Sequence, residues 1–144
     1  MYLKKFNNDI ALQIGLKIIE LSKKNHQIIG FSIGRLNHTV VSYMMDGMTK
    51  DKVDWLRRKV NSSKRFEMST SDIHKKFHLE PKMFYEKYGL DKKDYVAVAG
   101  AVPIFTKESG LIAVIAVTGL KPDEDHQLII DAIDAYKKEV NYEI

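Results

Sequence analysis

The 144 residues include no cysteine. This absence excludes disulfides, thiolate nucleophiles and cysteine-ligated metals together, and it fits a cytosolic protein. Proline is scarce, with three in the chain, and tryptophan occurs once. No apolar run approaches the ~20 residues that a membrane-spanning helix needs. Residues 1–9 carry no hydrophobic signal core, so export is not expected. Charge is nearly balanced, with 23 basic and 19 acidic residues and a net +4. A dedicated nucleic-acid binder shows a denser basic stripe, so neither nucleic acid nor a membrane is expected as a partner. Gly-x-Ser-x-Gly and phosphate-cradling glycine patterns are both missing, which leaves a serine hydrolase or a nucleotide fold unsupported.

What is present reads as one α/β domain over residues 1–144. Asn7-Asn8-Asp9 suits a helix cap, and Ile10, Ile14, Ile18 and Leu21 then recur at helical spacing over about residues 9–24. Residues 28–36 alternate, with Ile29, Phe31 and Ile33 on one side and Gly30, Ser32 and Gly34 on the other. That pattern predicts a half-buried strand with something packed closely on its small-residue face. A turn at 36–39 leads into a returning strand to residue 45. Helices are predicted over about 50–66, over 73–88 with a break before Pro81, and over 123–140. Residues 94–105 are β-type, with Gly100 and Pro103 pointing to a bulge or an edge position. Residues 111–118 are continuously apolar, as expected of a strand covered on both faces. Together these predict a layered sandwich: an antiparallel sheet of about five strands with helices on both faces.

Four blocks then stand out in order. They are Asn8-Asp9-Ile10-Ala11-Leu12-Gln13-Ile14-Gly15, Asp54-Trp55-Leu56-Arg57-Arg58-Lys59, Gly100-Ala101-Val102-Pro103, and Val117-Thr118-Gly119-Leu120 with Asp125-His126. In them the chain resembles the small haem-degrading-domain proteins. That family is related to GlcG-like proteins, to HbpS-like haem-binding proteins and to the C-terminal domain of PduO-type corrinoid adenosyltransferases. The Trp-x-Arg-Arg-Lys block resembles one branch of it. The resemblance implies a profilin-like α/β/α fold, homo-oligomers, and haem or another tetrapyrrole as ligand. It supplies no catalytic residues.

Candidate site residues follow from position. Trp55 lies opposite a Val53, Leu56 and Val60 stripe, with Lys52 and Lys59 beside it, at about 100° per residue. A subunit interface that includes Trp55 and Lys59, a ligand wall, or a cover from the same chain would each satisfy it. Arg57 falls near the stripe and needs an anionic partner, either a ligand carboxylate or phosphate or a structural acceptor. His126 aligns with Ile129, Ile133 and Tyr136 in the first turn of the last helix, where the dipole disfavours imidazolium. It is the candidate haem ligand, or else a core histidine bonded to backbone. Gly100 and Gly119 allow close ligand approach, or serve as turns. His74 and His78 share a helix face but have no third ligand, so no metal is expected there. Asp125 and His126 project about 100° apart, which argues against an acid/base pair. The reading is a homo-oligomeric, cytoplasmic protein with a small organic ligand, of haem class, in a pocket between sheet and helix. The competing reading is an assembly module without small-molecule chemistry.

Overall fold

A computed structural model describes residues 1–140. The elements are α1 (Asn8–Lys24), β1 (Gly30–Arg35), β2 (Thr39–Met44), α2 (Lys50–Phe66), α3 (Thr70–Phe77), α4 (Pro81–Glu86), β3 (Ala101–Thr106), β4 (Gly110–Thr118) and α5 (Pro122–Glu139). The strands form one antiparallel sheet in the order β2-β1-β4-β3. Among the described residues the sheet has four strands rather than the expected five or so. Of the β-type stretch 94–105, only the part from Ala101 joins the sheet. Ahead of it, the Val96 amide donates to Ser62 Oγ at 2.9 Å and Asn61 to Asp94 O at 2.9 Å, so α2 takes up backbone groups that a strand would otherwise pair.

Side-chain alternation splits the sheet into two faces. Phe31 and Ile33 of β1, Ile115 and Val117 of β4 and Ile104 of β3 pack against Ile10, Ile14 and Ile18 of α1 and Ile129 and Ile133 of α5. This is the principal core, and every β1 apolar residue assigned to it from sequence is fully buried. On the other face Val114 and Ala116 of β4 and Ala101 of β3 meet Leu56 of α2. β4 is therefore covered on both sides, and residues 113–118 are all buried, as their unbroken apolar run predicts. Pro103 sits in an edge strand, where a missing N–H is tolerated. A third cluster, built from Ile73, Phe77, Phe84 and Leu90 with edge-to-face rings around Phe66 and Tyr88, anchors α3 and α4 to the end of α2.

α2 presents a different face from the one its apolar residues suggest. Leu56, Lys59, Ser62 and Ser63 are buried, whereas Val53 is 42% exposed. The serines are small and self-satisfied, with Ser62 Oγ donating to Arg58 O and Ser63 Oγ to Met68 O. They let the helix lie close over β3 and β4. The β1–β2 half of that sheet face is left largely bare.

Candidate functional site

The end of β4 gathers several of the predicted residues, but into a closed clasp. Lys59 Nζ donates to Val117 O at 2.9 Å and to Asp125 Oδ2 at 3.0 Å, and Asp125 Oδ1 accepts from the Leu120 amide at 3.0 Å. Both charged residues are 2% exposed. Burial pushes the Asp125 carboxyl up to about 6 against the opposing pull of Lys59, and burial likewise lowers Lys59. Gly100 has φ 126°, and a Cβ there would lie 2.5 Å from Lys59 Nζ and 2.8 Å from Val117 O. Gly119 has φ 117°, and its Cβ would lie 2.7 Å from Ile28 O. The close approach these glycines permit is thus to the protein's own groups, not to a ligand. Lys59, expected beside Trp55 at an interface, is instead a buried cation that ties α2 to α5 and the end of β4. The sequence holds one sign of this: Lys59 is three residues from Leu56 and four from Ser63, on the face the small residues bury.

Arg57 is on the surface, beside Val53, Leu56 and Val60. Its Nε and Nη2 donate to Asp54 Oδ1 at 3.0 and 2.9 Å, Nη1 to Asp94 Oδ1 at 2.9 Å, and Nη2 to Lys93 O at 2.7 Å. These carboxylates hold the guanidinium above its ordinary range, Asp94 first and then Asp54. Trp55 is half-buried, and the Arg58 guanidinium lies 4.2 Å from its ring centroid. His126 is half-buried at the start of α5, with its Nδ1 buried and without a hydrogen-bond partner among the described residues. Burial lowers its pKa, which favours the neutral ring. The cavities described below do not include it.

The bare half of the sheet forms a groove of about 330 Å³ between α2 and β1–β2. Its apolar floor is Val53, Leu56, Val60 and Val114, and Ser32, Gly34 and Ser42 are small enough to leave the space open. Arg35, Arg57 and Lys64 line it, with no carboxylate among the lining residues. Lys64 Nζ donates to Leu36 O at 2.8 Å and Arg35 Nε to Asn8 Oδ1 at 3.2 Å, both neutral acceptors. His38 stands at the rim with its Nδ1 2.9 Å from Asn37 Oδ1. The amide oxygen accepts in this contact, which turns Nε2 away from it as the ring's open nitrogen. His38 reads as a turn residue in the sequence. Only the strand pairing and the position of α2 bring it to the groove with Arg57. This groove lies between a sheet face and a helix, and it combines an apolar floor with a few polar groups, as small-molecule sites do.

Residues 6–134 match the family described as haem degrading protein HbpS-like. The chain belongs to the HbpS-like family. Among its relatives, a UPF0303 protein of Psychromonas ingrahamii is 32% identical over 135 residues, covering 94% of this chain and 85% of that one. A UPF0303 protein of Zymomonas mobilis is 32% identical over 131 residues, covering 91% and 70%. The crystal structure of the Ybr137w protein superposes with a TM-score of 0.85 at 27% identity, over 94% of this chain and 80% of that one. HbpS itself gives a TM-score of 0.72 at 20% identity, over 90% and 89%. A PduOC–haem complex gives 0.76 at 15% identity, over 90% and 94%. At these identities the HbpS and PduOC structures share the HbpS-like fold with this chain.

Proposed function

We propose that this chain binds a small amphiphilic anion of the haem or tetrapyrrole class in the groove between α2 and the β1–β2 half of the sheet. The observation that carries this reading is the lining: an apolar floor beside Arg35 and Lys64, two cations held by neutral acceptors, with no carboxylate among the lining residues. A planar apolar ring bearing propionates matches that arrangement in shape and sign. A groove of about 330 Å³ takes one edge and face of such a ring and leaves the rest exposed. His38 Nε2 would hold the iron, Arg35 and Lys64 the carboxylates, and Leu56 with Val60 the ring. When bound, the iron supplies ligand exchange and redox chemistry. The family description and the haem complex of a fold neighbour favour the same class. Haem titration followed at the Soret band tests the reading. Arg35→Ala/Lys64→Ala is expected to weaken binding about tenfold or more, the equivalent of 1.4 kcal/mol. Unchanged affinity in that variant would remove the groove from consideration.

A second reading, self-association, is favoured by Trp55, whose indole stays partly open to solvent beneath Arg58. Tryptophan and arginine are enriched at interface hot spots. In this reading the chain is a cytoplasmic homo-oligomer, and the Trp-x-Arg-Arg-Lys block marks its branch of the family. Light scattering is expected to show an oligomer at micromolar concentration that Trp55→Ala weakens. A monomeric wild type would refute it.

A further inference from the structure

A second cavity, of about 240 Å³, lies between α3, α4 and the extended segment 96–98. Its walls are apolar or aromatic, from Phe77, Pro81, Tyr85 and Val96, and two imidazoles, His74 and His78, line it. We propose that His74 and His78 form a binding site for a divalent transition-metal ion of the zinc, nickel or copper class.

Three features of the geometry carry this. His74 lies on α3, and His78 is its C-cap with helical φ −63° and ψ −29°, so the i, i+4 spacing puts both rings on one face. Each ring is oriented by its own backbone acceptor. His74 Nδ1 lies 3.0 Å from Ala97 O and His78 Nδ1 2.7 Å from Lys75 O. A carbonyl oxygen can only accept, so both Nδ1 atoms carry protons in these bonds, and both Nε2 atoms hold the lone pair. That is the outer-shell arrangement typical of metal-bound histidine, where a carbonyl takes the other ring N–H and fixes tautomer and orientation. Two imidazoles on one helix face and at one cavity, each oriented through Nδ1 by a backbone carbonyl, offer two nitrogen donors to an ion there.

The chemistry of the lining selects the ion. No carboxylate lines the cavity, which disfavours calcium and magnesium. The chain has no cysteine, so a thiolate site for a softer ion is excluded. The Tyr85 hydroxyl donates to Tyr95 O at 3.2 Å, and burial raises its pKa, so it does not offer a phenolate. Imidazole nitrogen suits zinc, nickel and copper, with copper held most tightly. Among the described residues no group of three or more acidic, histidine or cysteine side chains converges on one point. The ion would therefore keep water at its other positions, open to exchange with a small donor ligand. The site is separate from the groove and does not depend on the haem-class reading.

The test uses the untagged full chain. Isothermal titration with Zn²⁺ and with Ni²⁺ is expected to give one saturable site. His74→Ala and His78→Ala should each weaken it by at least the 10–100-fold that loss of an orienting partner costs metal sites. His126→Ala should leave it unchanged. Both cavity histidines are exposed, and matching thermal melts establish that the variants fold. Electron paramagnetic resonance of the Cu²⁺ form should show two nitrogen donors in the wild type and fewer in either cavity variant. No saturable binding, wild-type affinity in either the His74 or the His78 variant, or loss of binding in His126→Ala would overturn the proposal.

Discussion

Replacing Lys59 with methionine probes the closed clasp at the end of β4. The substitution keeps the aliphatic stem and removes the ammonium that bonds Val117 O and Asp125 Oδ2. Asp125, 2% exposed, is then left with the Leu120 amide as its remaining bond. Breaking one side of a buried pair costs about 3–5 kcal/mol, because an uncompensated charge stays behind. Domains of this kind have roughly 5–15 kcal/mol in total, so about a fifth or more of the stability goes. Asp125→Leu strands the lysine and should cost a similar amount. The double variant buries no charge and leaves the Leu120 amide without its acceptor, at about 1–3 kcal/mol. It should therefore be more stable than either single variant. Urea unfolding read from the single tryptophan, one turn before Lys59, gives all four free energies. A Lys59→Met variant within about 1 kcal/mol of wild type, or a double variant as unstable as the sum of the singles, would refute the clasp.

Asp125 also sets a pH dependence. Its folded pKa is raised from 3.8 to about 6, so the folded state binds the extra proton between these values. Its contribution is full below pH 4 and is lost as pH rises through 6, by about 3 kcal/mol in all. The difference in urea midpoint between wild type and Asp125→Asn should follow that window; a pH-independent difference would contradict it. Gly100→Ala places a methyl 2.5 Å from Lys59 Nζ at φ 126° and should destabilise by about 1–3 kcal/mol from strain alone, measured by denaturant midpoint. Leu56→Ala removes the α2 residue that packs on Val114 and Ala116, and it should cost about 2–5 kcal/mol in the same assay.

The fold was legible wherever one pattern had one cause. The Ile29, Phe31 and Ile33 alternation, the helical spacing of Ile10, Ile14 and Ile18, and the unbroken run of β4 all report burial directly. Residues 94–100 misled because β-type side chains do not specify a pairing partner, and here α2 takes the backbone groups at 94 and 96. The orientation of α2 was hidden because Lys59 and two serines, polar residues normally read as solvent-facing, occupy its inner face. Lys59 and Ser62 reach partners 34 to 66 residues away, in contacts that periodicity does not encode. The ligand region was legible only as a location between sheet and helix. Arg57 was legible beside the α2 stripe, while Arg35 and His38 come to the groove through the β1–β2 turn. His74 and His78 were visible as a spacing, while the carbonyls that fix their tautomers appear only in three dimensions.

The central claim, a haem-class ligand in the α2 groove, is tested most directly by haem titration of Ser42→Trp beside His126→Ala. Ser42 is an exposed residue of β2 at the groove, so an indole there fills the space at the loss of one hydrogen bond, from Ser42 Oγ to Phe31 O. The account predicts a saturable Soret shift in wild type and in His126→Ala, and at least tenfold weaker binding in Ser42→Trp and in His38→Ala. Full binding in Ser42→Trp, or loss of the shift in His126→Ala alone, would contradict it.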